Sequence, residues 1–590
     1  MSIVPANSMD EPSKATIDKS GRGASLEVDE NPEMARPDGS DPLSDPTSDV
    51  SESEKDGTPG LPFSKARSIA LVATLTGASF LNTLCSQAVV IILPTIGRAL
   101  DIPDSRLQWI VSAYALTFGT FLLLWGRIAD IYGKRDIFIW GSAFVTVTLI
   151  INPFMPNEIT FDLFRGLQGL GAAANVPTAI GILGVTFPPG KAKNYAFSAY
   201  ASGAPLGSVF GNLLAGFIAS YTTWKWVFGA LGGLGLVVTA AGFFVIPQPP
   251  NNNNNNNNNT TNLNQTKKGR ILLKSVDWPG GFLVTTGLLA LLFALTEGNV
   301  VGWRTPWIPV LIVVALILLA VFFGWQWYQE KHTTRQPLIK ASIFKNGRFC
   351  AGLAIMALFF GSFNNFLVYA TYFFQDYQGL SPLQTTLRFI PTGVTGILVA
   401  FVVSHLISRV PTWILLMGGN LAVSISCLLF AVPLPRNTSY FAFGLPAFIL
   451  SVVGADCTWP CLTLFTSRSL PPEDQAMGGG LINASAAVGR AIGLAIDTAI
   501  QTAVIARERG VAVEDSGKIK VWDDASVTSI RAANWFNFAL AVFCMGVVGL
   551  AFRGTGIVGR SERVIGPPVK DEEDRRAPGL MMLEKGERKG

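Results

Sequence analysis

The sequence predicts an all-α polytopic membrane protein with fourteen transmembrane helices. Three observations carry that prediction. Hydrophobic residues make up 49% of the 590 positions and charged residues only 14%, against about 25% charged in ordinary globular proteins. Of the 85 charged residues, 36 fall in the first 66 and last 38 positions, leaving the middle of the chain sparsely charged. That middle holds one apolar run of about 20 residues after another, the length a helix needs to cross a bilayer. The same composition excludes a soluble enzyme, a secreted disulfide scaffold and a nucleic-acid-binding module. The net charge of +5 belongs to loops and tails rather than to an anion-binding surface.

Taken in order, residues 1–66 are rich in Ser, Pro, Gly and Asp, with 14 acidic and 6 basic residues. Such a stretch cannot bury a core and reads as a disordered tail. No cleavable signal peptide is expected, so the first span directs insertion. The spans are predicted at 68–93, 107–125, 137–155, 161–184, 195–219, 226–246, 279–298, 306–328, 349–373, 385–408, 412–433, 440–466, 476–504 and 532–552. They group into a six-helix half at 67–246, an Asn-rich linker at 247–278, two inserted helices at 279–328, a second six-helix half at 329–552 and a tail at 553–590. The run Asn251 to Asn259 marks a tolerant linker rather than a site.

An even number of spans puts both termini on one side. Lys and Arg decide which. The loops after even-numbered spans hold Arg127, Lys134, Arg135, Lys191, Lys193, Lys267, Lys268, Arg270, Lys274, Lys331, Arg335, Lys340 and Lys345, whereas the short loops after odd-numbered spans hold few, such as Arg98, Arg106 and Arg304. Both termini are expected in the cytoplasm. The stretch 505–531 departs from the rule with five basic residues on the outer side. Asn437-Thr438-Ser439 is a glycosylation acceptor in a loop expected outside, while Asn264-Gln265-Thr266 is expected inside and silent. The six cysteines lie in or beside apolar runs and form no disulfide framework; no metal site or cofactor is expected.

The chain repeats itself. Gly171-Ala-Ala-Ala-Asn-Val-Pro177 in span four matches Gly454-Ala-Asp-Cys-Thr-Trp-Pro460 in span twelve, and Gly207 with Gly211 in span five matches Gly489 with Gly493 in span thirteen. Two matches at nearly one offset point to a duplicated bundle, with spans seven and eight inserted between its copies. Duplicated halves around a midplane site are a common plan for secondary transporters.

Between spans two and three, the sequence Gly126-Arg-Ile-Ala-Asp130-Ile-Tyr-Gly133-Lys134-Arg135-Asp136 reads as a loop. Gly126 permits close helix contact and Gly133 a tight turn. Asp130, near a helix end, is placed to pair with a base or to meet another helix's N-terminus. Gly126 through Phe138 resembles motif A of the major facilitator superfamily. Arg165-Gly166-Leu167-Gln168-Gly169-Leu-Gly171-Ala172-Ala173 resembles the superfamily's fourth-helix motif, and Gly203-Ala-Pro205-Leu-Gly207 with Gly211 resembles its antiporter-associated fifth-helix motif. Trp224-Lys-Trp226-Val-Phe228 and Asp277-Trp278-Pro-Gly280 are similar to the fourteen-span drug:proton antiporter branch. The polar tails and the asparagine tract suggest a fungal member.

The resemblance implies the superfamily fold and a role for Arg165 in transport, with Gly126, Asp130, Gly133, Lys134, Arg135, Gly203, Pro205 and Gly207 serving conformational change. The sequence departs from the branch at Cys85, which stands where an Asp usually lies nine residues before the Pro of helix one, here Pro94. Asn82, Ser86 and Gln87 keep that helix polar. Fungal members related to aminotriazole and borate exporters share a polar, non-acidic first helix. The fifth-helix motif has Ala204-Pro205 where Gly-Pro is usual, and in the second-half counterpart of motif A, Val403 to Pro411, Ile407 aligns with Asp130.

Intramembrane ionisable residues are expensive and mark function by default. Arg165, Asp456, Arg490 and Asp497 are the candidates for a substrate and proton pathway, with Asn82, Gln87 and Asn364 as polar lining. Arg490 and Asp497, seven residues apart, should share one face of span thirteen, with Asp456 within reach of Arg490. The aromatic residues of span nine, from Phe359 to Phe374, are expected against lipid or neighbouring helices. No Gly-x-x-x-x-Gly-Lys-Ser/Thr motif occurs in the sequence, which disfavours ATP-driven pumping. The expected function is export of small organic molecules across the plasma membrane by a monomeric proton antiporter without catalytic residues. The alternatives are an importer or uniporter of a small solute, a transport-inactive sensor, and a vacuolar or other internal membrane.

Overall fold

Each predicted apolar run forms a helix, and most extend beyond the run by a few polar residues at one or both ends. The computed structural model describes residues 63–558 apart from 103–105, 108, 249–275, 334–335, 434 and 436–437. The N-terminal tail up to residue 62, most of the Asn-rich linker, Asn437, and the C-terminal tail from 559 lie outside the described residues. The helices are α1 (Lys65–Ala99), α2 (Trp109–Tyr132), α3 (Lys134–Ile151), α4 (Glu158–Thr186), α5 (Lys191–Tyr221), α6 (Lys225–Val245), α7 (Trp278–Val301), α8 (Trp307–His332), α9 (Gly347–Tyr372), α10 (Pro382–Leu406), α11 (Thr412–Ala431), α12 (Tyr440–Ser469), α13 (Gln475–Arg509) and α14 (Asp524–Ala551). All fourteen contain stretches long and apolar enough to cross a membrane.

The duplication seen in sequence recurs in packing. In the first half α1 packs on α5, α2 on α4, and α3 on both α4 and α6; eight helices later α9 packs on α13, α10 on α12, and α11 on both α12 and α14. The matched glycines explain part of this. A Cβ on Gly211 would fall 2.8 Å from the Leu84 carbonyl of α1, and one on Gly493 would fall 3.0 Å from the Gly361 carbonyl of α9. Only a missing side chain lets these backbones approach so closely.

The halves meet chiefly along two helix pairs, α2 with α13 and α5 with α10, with α13 also against α4 and α12 against α5. Since α13 repeats α5 and α10 repeats α2, the two pairs are equivalents about a pseudo-twofold axis. The inserted α7 and α8 pack on one another, and α7 also touches α2 and α13, one helix from each half.

Asp277, at the N-cap of α7, fixes this insert. Its carboxylate accepts from the Gly280 N–H (2.9 Å), Trp325 Nε1 (3.0 Å), Gln326 Nε2 (2.7 Å) and Gln329 Nε2 (3.2 Å). Gln326 Oε1 in turn accepts from the Ile339 N–H beyond α8. Leaving buried donors unpaired costs about 1–3 kcal/mol each. Asp277→Ala is therefore expected to lower the thermal midpoint of the detergent-solubilised protein, corresponding to a loss of about 2–4 kcal/mol. An unshifted melting curve would refute the clamp.

The span-nine aromatics turn inward to neighbouring helices. Phe359, Phe366, Tyr369 and Phe374 are fully buried; Phe366 meets Phe430 of α11 and Phe448 of α12 edge-on or tilted. The six cysteines are all free thiols.

Candidate transport site and gate

The motif that reads as a loop between spans two and three is mostly helix, which corrects the expectation. α2 continues through Gly126 and Asp130 to Tyr132, Gly133 alone makes the link at φ +114°, and α3 begins at Lys134. The charged residues remain helical because partners from the other half satisfy them. Asp130 accepts from the main-chain N–H groups of Ala476 (3.1 Å) and Met477 (2.7 Å), at the N-terminus of α13, and pairs with Lys134 Nζ at 2.7 Å. A carboxylate there meets unpaired helix donors and the positive end of the dipole. Gly126 is the contact point: a Cβ would lie 2.8 Å from the Ala476 carbonyl oxygen. Lys134 also donates to the Pro472 carbonyl at 3.3 Å. Arg135 stays within its own half, donating to the Phe243 and Ile246 carbonyls at the end of α6, each at 2.9 Å.

A second set of contacts that sequence reasoning did not anticipate surrounds Asp474. Arg127 Nη1 and Lys340 Nζ each lie 2.7 Å from its carboxylate, and Arg127 Nη2 donates to Gln336 Oε1 at 2.8 Å. Arg127 and Asp474 are both buried. Both halves and the α8–α9 connection thus converge on one carboxylate.

Gly203, Pro205 and Gly207 divide their work. A Cβ on Gly203 would fall 2.7 Å from the Thr76 carbonyl, and one on Gly207 would strike the Phe80 carbonyl, so both seat α5 on α1. Pro205 faces the other half, where a Cβ on Gly396 of α10 would lie 3.2 Å from its Cβ. Toward the face bearing the described chain ends, Tyr195 Oη and His405 Nε2 are 2.7 Å apart. That α5–α10 contact stands where the twofold would repeat the Asp130 latch, and Ile407, buried in the core, supplies no acid there.

Arg165 is fully buried between α2 and α4. Its Nε donates to the Ile110 carbonyl at 2.9 Å, Nη1 donates to Gln168 Oε1, and the guanidinium lies 4.9 Å from the Tyr114 ring centroid. Among the described residues Nη2 and Gln168 Nε2 have no hydrogen-bond partner. Cys85 of α1 lies against both Arg165 and Gln168, so the position usually held by an acid is beside this cation. Asn82 is buried one turn away: its main-chain carbonyl accepts from Tyr114 Oη at 3.3 Å, while both side-chain amide atoms lack partners among the described residues. Gln87 and Asn364 are half-buried.

The acids of the second half do not form the expected ion pair. Asp456 and Arg490 are not paired; the Arg490 guanidinium lies 5.6 Å from the Phe360 ring centroid of α9. Asp497 is fully buried, and its neighbours are the carboxamides of Asn365 on α9 and Asn537 on α14. None of these three side chains makes a hydrogen bond of ordinary geometry among the described residues. Tyr369, close to Asp497, donates instead to Gln501 Oε1 at 3.0 Å. Asp456, also buried, leaves Oδ2 without a partner among the described residues. Among the described residues no group of three or more His, Cys, Asp or Glu side chains is arranged to hold a metal ion.

Two duplicated bundles joined along twofold-related helix pairs, with an interlock at one face and ionisable groups deep inside, define a membrane carrier. The chain belongs to the Major Facilitator Superfamily, whose family model matches residues 75–297 and again 278–494. This is a family of transporters rather than enzymes. Similar proteins include the low affinity ammonium transporter of Saccharomyces cerevisiae, 29% identical over 64% of this chain and 70% of that protein. The efflux pump terJ of Aspergillus terreus is 27% identical over 74% of this chain and 82% of its own length. Two solved structures share the fold. The human organic anion transporter MFSD10 has a TM-score of 0.55 at 13% identity, covering 82% of this chain and 99% of that one. The proton:xylose symporter XylE has a TM-score of 0.55 at 12% identity, covering 82% and 96%.

Proposed function

We propose that this transporter exports small organic molecules in exchange for protons, by alternating access between its two halves. The observation that carries the proposal is the asymmetric closure of the seam. On the face bearing the described chain ends, Asp130 grips the start of α13 and Asp474 gathers Arg127 and Lys340. Contacts made across a seam on one face are broken when that face opens, as a two-state carrier requires. Deeper in, Arg165, Asp456 and Asp497 supply charges that a proton or substrate can compensate. The names of efflux pumps among the relatives favour the outward direction.

On this reading the tails, 1–66 and 553–590, and the linker 247–278 face the cytoplasm. Segments 67–246 and 329–552 rock as the two halves, 279–328 rides between them, and Asn437 faces outside, open to glycosylation. The protein acts as a monomer in the plasma membrane and belongs to the fourteen-span drug:proton antiporter branch, near the aminotriazole and borate exporters. Cys85 in place of the first-helix acid favours a second reading, uncoupled movement of a small solute. Efflux from preloaded cells, with and without a protonophore, separates the two. Antiport predicts efflux that collapses with the proton gradient; gradient-independent efflux would leave the uniporter standing.

A further inference from the structure

On the face opposite the Asp130 latch, the second half contains a hollow that lies off the seam. Its walls come from the ends of α9 and α11, the starts of α12 and α14, and the α13–α14 connection at 510–523. Two irregular pieces of backbone meet there. Beyond Tyr372, α9 widens into a π-turn at Phe373–Tyr377, a rare winding that recurs at functional sites. Trp522 sits at φ +55°, in the left-handed region that suits glycine. Its N–H donates to the Tyr377 carbonyl at 3.0 Å, and its ring lies 5.2 Å from the Tyr377 ring, so the strained residue is pinned to the π-turn. Neither piece belongs to the duplicated plan. α1, which α9 repeats, closes with an ordinary bond from the Leu100 N–H to the Ile96 carbonyl. α5 and α6 are joined by residues 222–224 alone. The hollow is thus an addition to the second half.

We propose that this hollow is an accessory binding site for a small aromatic carboxylate, with Arg531 on the carboxylate and the rings of Tyr377, Phe430 and Trp522 around the aromatic body. Aromatic walls with a few placed polar groups are the usual make-up of a small-molecule site. Phe430 and Phe443 meet at 5.4 Å and close the floor, both buried, whereas Trp522 is 45% exposed and has ring surface left to cover. Arg531 is the one charged residue in the lining, and no acid lines the hollow among the described residues, so a cation would find no counter-charge there. The nearest acids face bases of their own: Asp523 holds Arg509 at 2.6 Å, and Lys518 lies beside Asp376. Arg531 is also one of the five basic residues of 505–531 that depart from the charge rule. A guanidinium has five N–H donors, so Arg531 can take a carboxylate and keep its other partner. Gln378 Oε1 accepts from Arg388 Nη1 at 2.7 Å, which leaves its amide N–H to offer a ligand. Every wall belongs to the second half, so the site can stay filled while the halves rock.

The test is a ligand-observed NMR titration of the purified full-length protein in detergent, with benzoate and the uncharged benzamide as probes. The wild type should bind benzoate about tenfold more tightly than benzamide. Arg531→Gln should weaken benzoate about tenfold and leave benzamide within about threefold, while Arg531→Lys, which keeps the charge, should retain a preference of about threefold. Trp522→Gly relieves the backbone and removes the ring, so it should weaken both probes by about threefold or more. Thermal melts establish that each variant is folded. Absence of saturable benzoate binding to the wild type, a full preference in Arg531→Gln, or wild-type binding of both probes by Trp522→Gly overturns the assignment. A preference lost in Arg165→Gln and kept in Arg531→Gln would seat the carboxylate at the deep cation and overturn it as well.

Discussion

Asp130→Asn is expected to reduce transport about 10- to 100-fold while leaving expression and folding unchanged. The carboxylate now accepts from two main-chain N–H groups across the seam, at Ala476 and Met477, and holds Lys134 as well. Asparagine has nearly the same shape but only one acceptor oxygen, and its NH2 must face one of those donors. Hydrogen bonds to a charged group are worth about 1.5–3 kcal/mol each. The latch joins two halves, so its energy counts only in the conformer closed on that face. Losing about 3 kcal/mol shifts such an equilibrium by about 100-fold. Spin-label distances between α5 and α10 near Tyr195 and His405 should lengthen along with the loss of flux. Unchanged distances together with wild-type flux would show that Asp130 does not set the balance.

The helices were legible because the bilayer demands long apolar runs, and little in this chain interrupts them. Their polar ends were less so. Arg127 and Asp130 look like loop residues because a charge on a membrane helix needs a partner, and the partners, Asp474 and the start of α13, lie more than 340 residues away. Asp474 itself stands in Pro471-Pro-Glu-Asp474, which reads as an ordinary turn. The duplication was legible because the glycines that fix α1 on α5 and α9 on α13 cannot be replaced without separating two backbones.

The deep ionisable candidates were legible by residue type but not by arrangement. Arg165, Asp456, Arg490 and Asp497 all lie within membrane-spanning helices. Helical spacing tells which residues of one helix share a side, but not toward which neighbour that side turns. Arg490 accordingly reaches Phe360 rather than Asp456, while Asp497 reaches Asn365 and Asn537. A signal for those two asparagines was present: a carboxamide in an apolar span needs a polar partner as much as a charge does. Asn364 drew attention for standing among aromatic residues, yet it is the adjacent Asn365 that is fully buried.

Asp497→Asn should carry the second large effect: loss of about 100-fold in proton-driven flux, with exchange of substrate down its own gradient preserved. Its carboxylate is sealed among two carboxamides and the Tyr369 ring, and among the described residues no cation stands beside it. Keeping an ionised carboxylate in such a place costs several kcal/mol, so proton binding and release there depend on whether the surrounding helices admit water. That dependence is what couples a proton to a conformational change. Asparagine fixes the site in a neutral state of the same size, so the halves can still rock with substrate while nothing remains to be protonated. Proteoliposomes separate the two activities: accumulation against an imposed pH gradient should vanish, and counterflow of labelled substrate should continue at a rate within about threefold of wild type. Accumulation equal to the wild type would remove Asp497 from the coupling step. Loss of both activities with a wild-type melting curve would instead place it in the rocking motion itself, since a group used only for the proton has no bearing on counterflow.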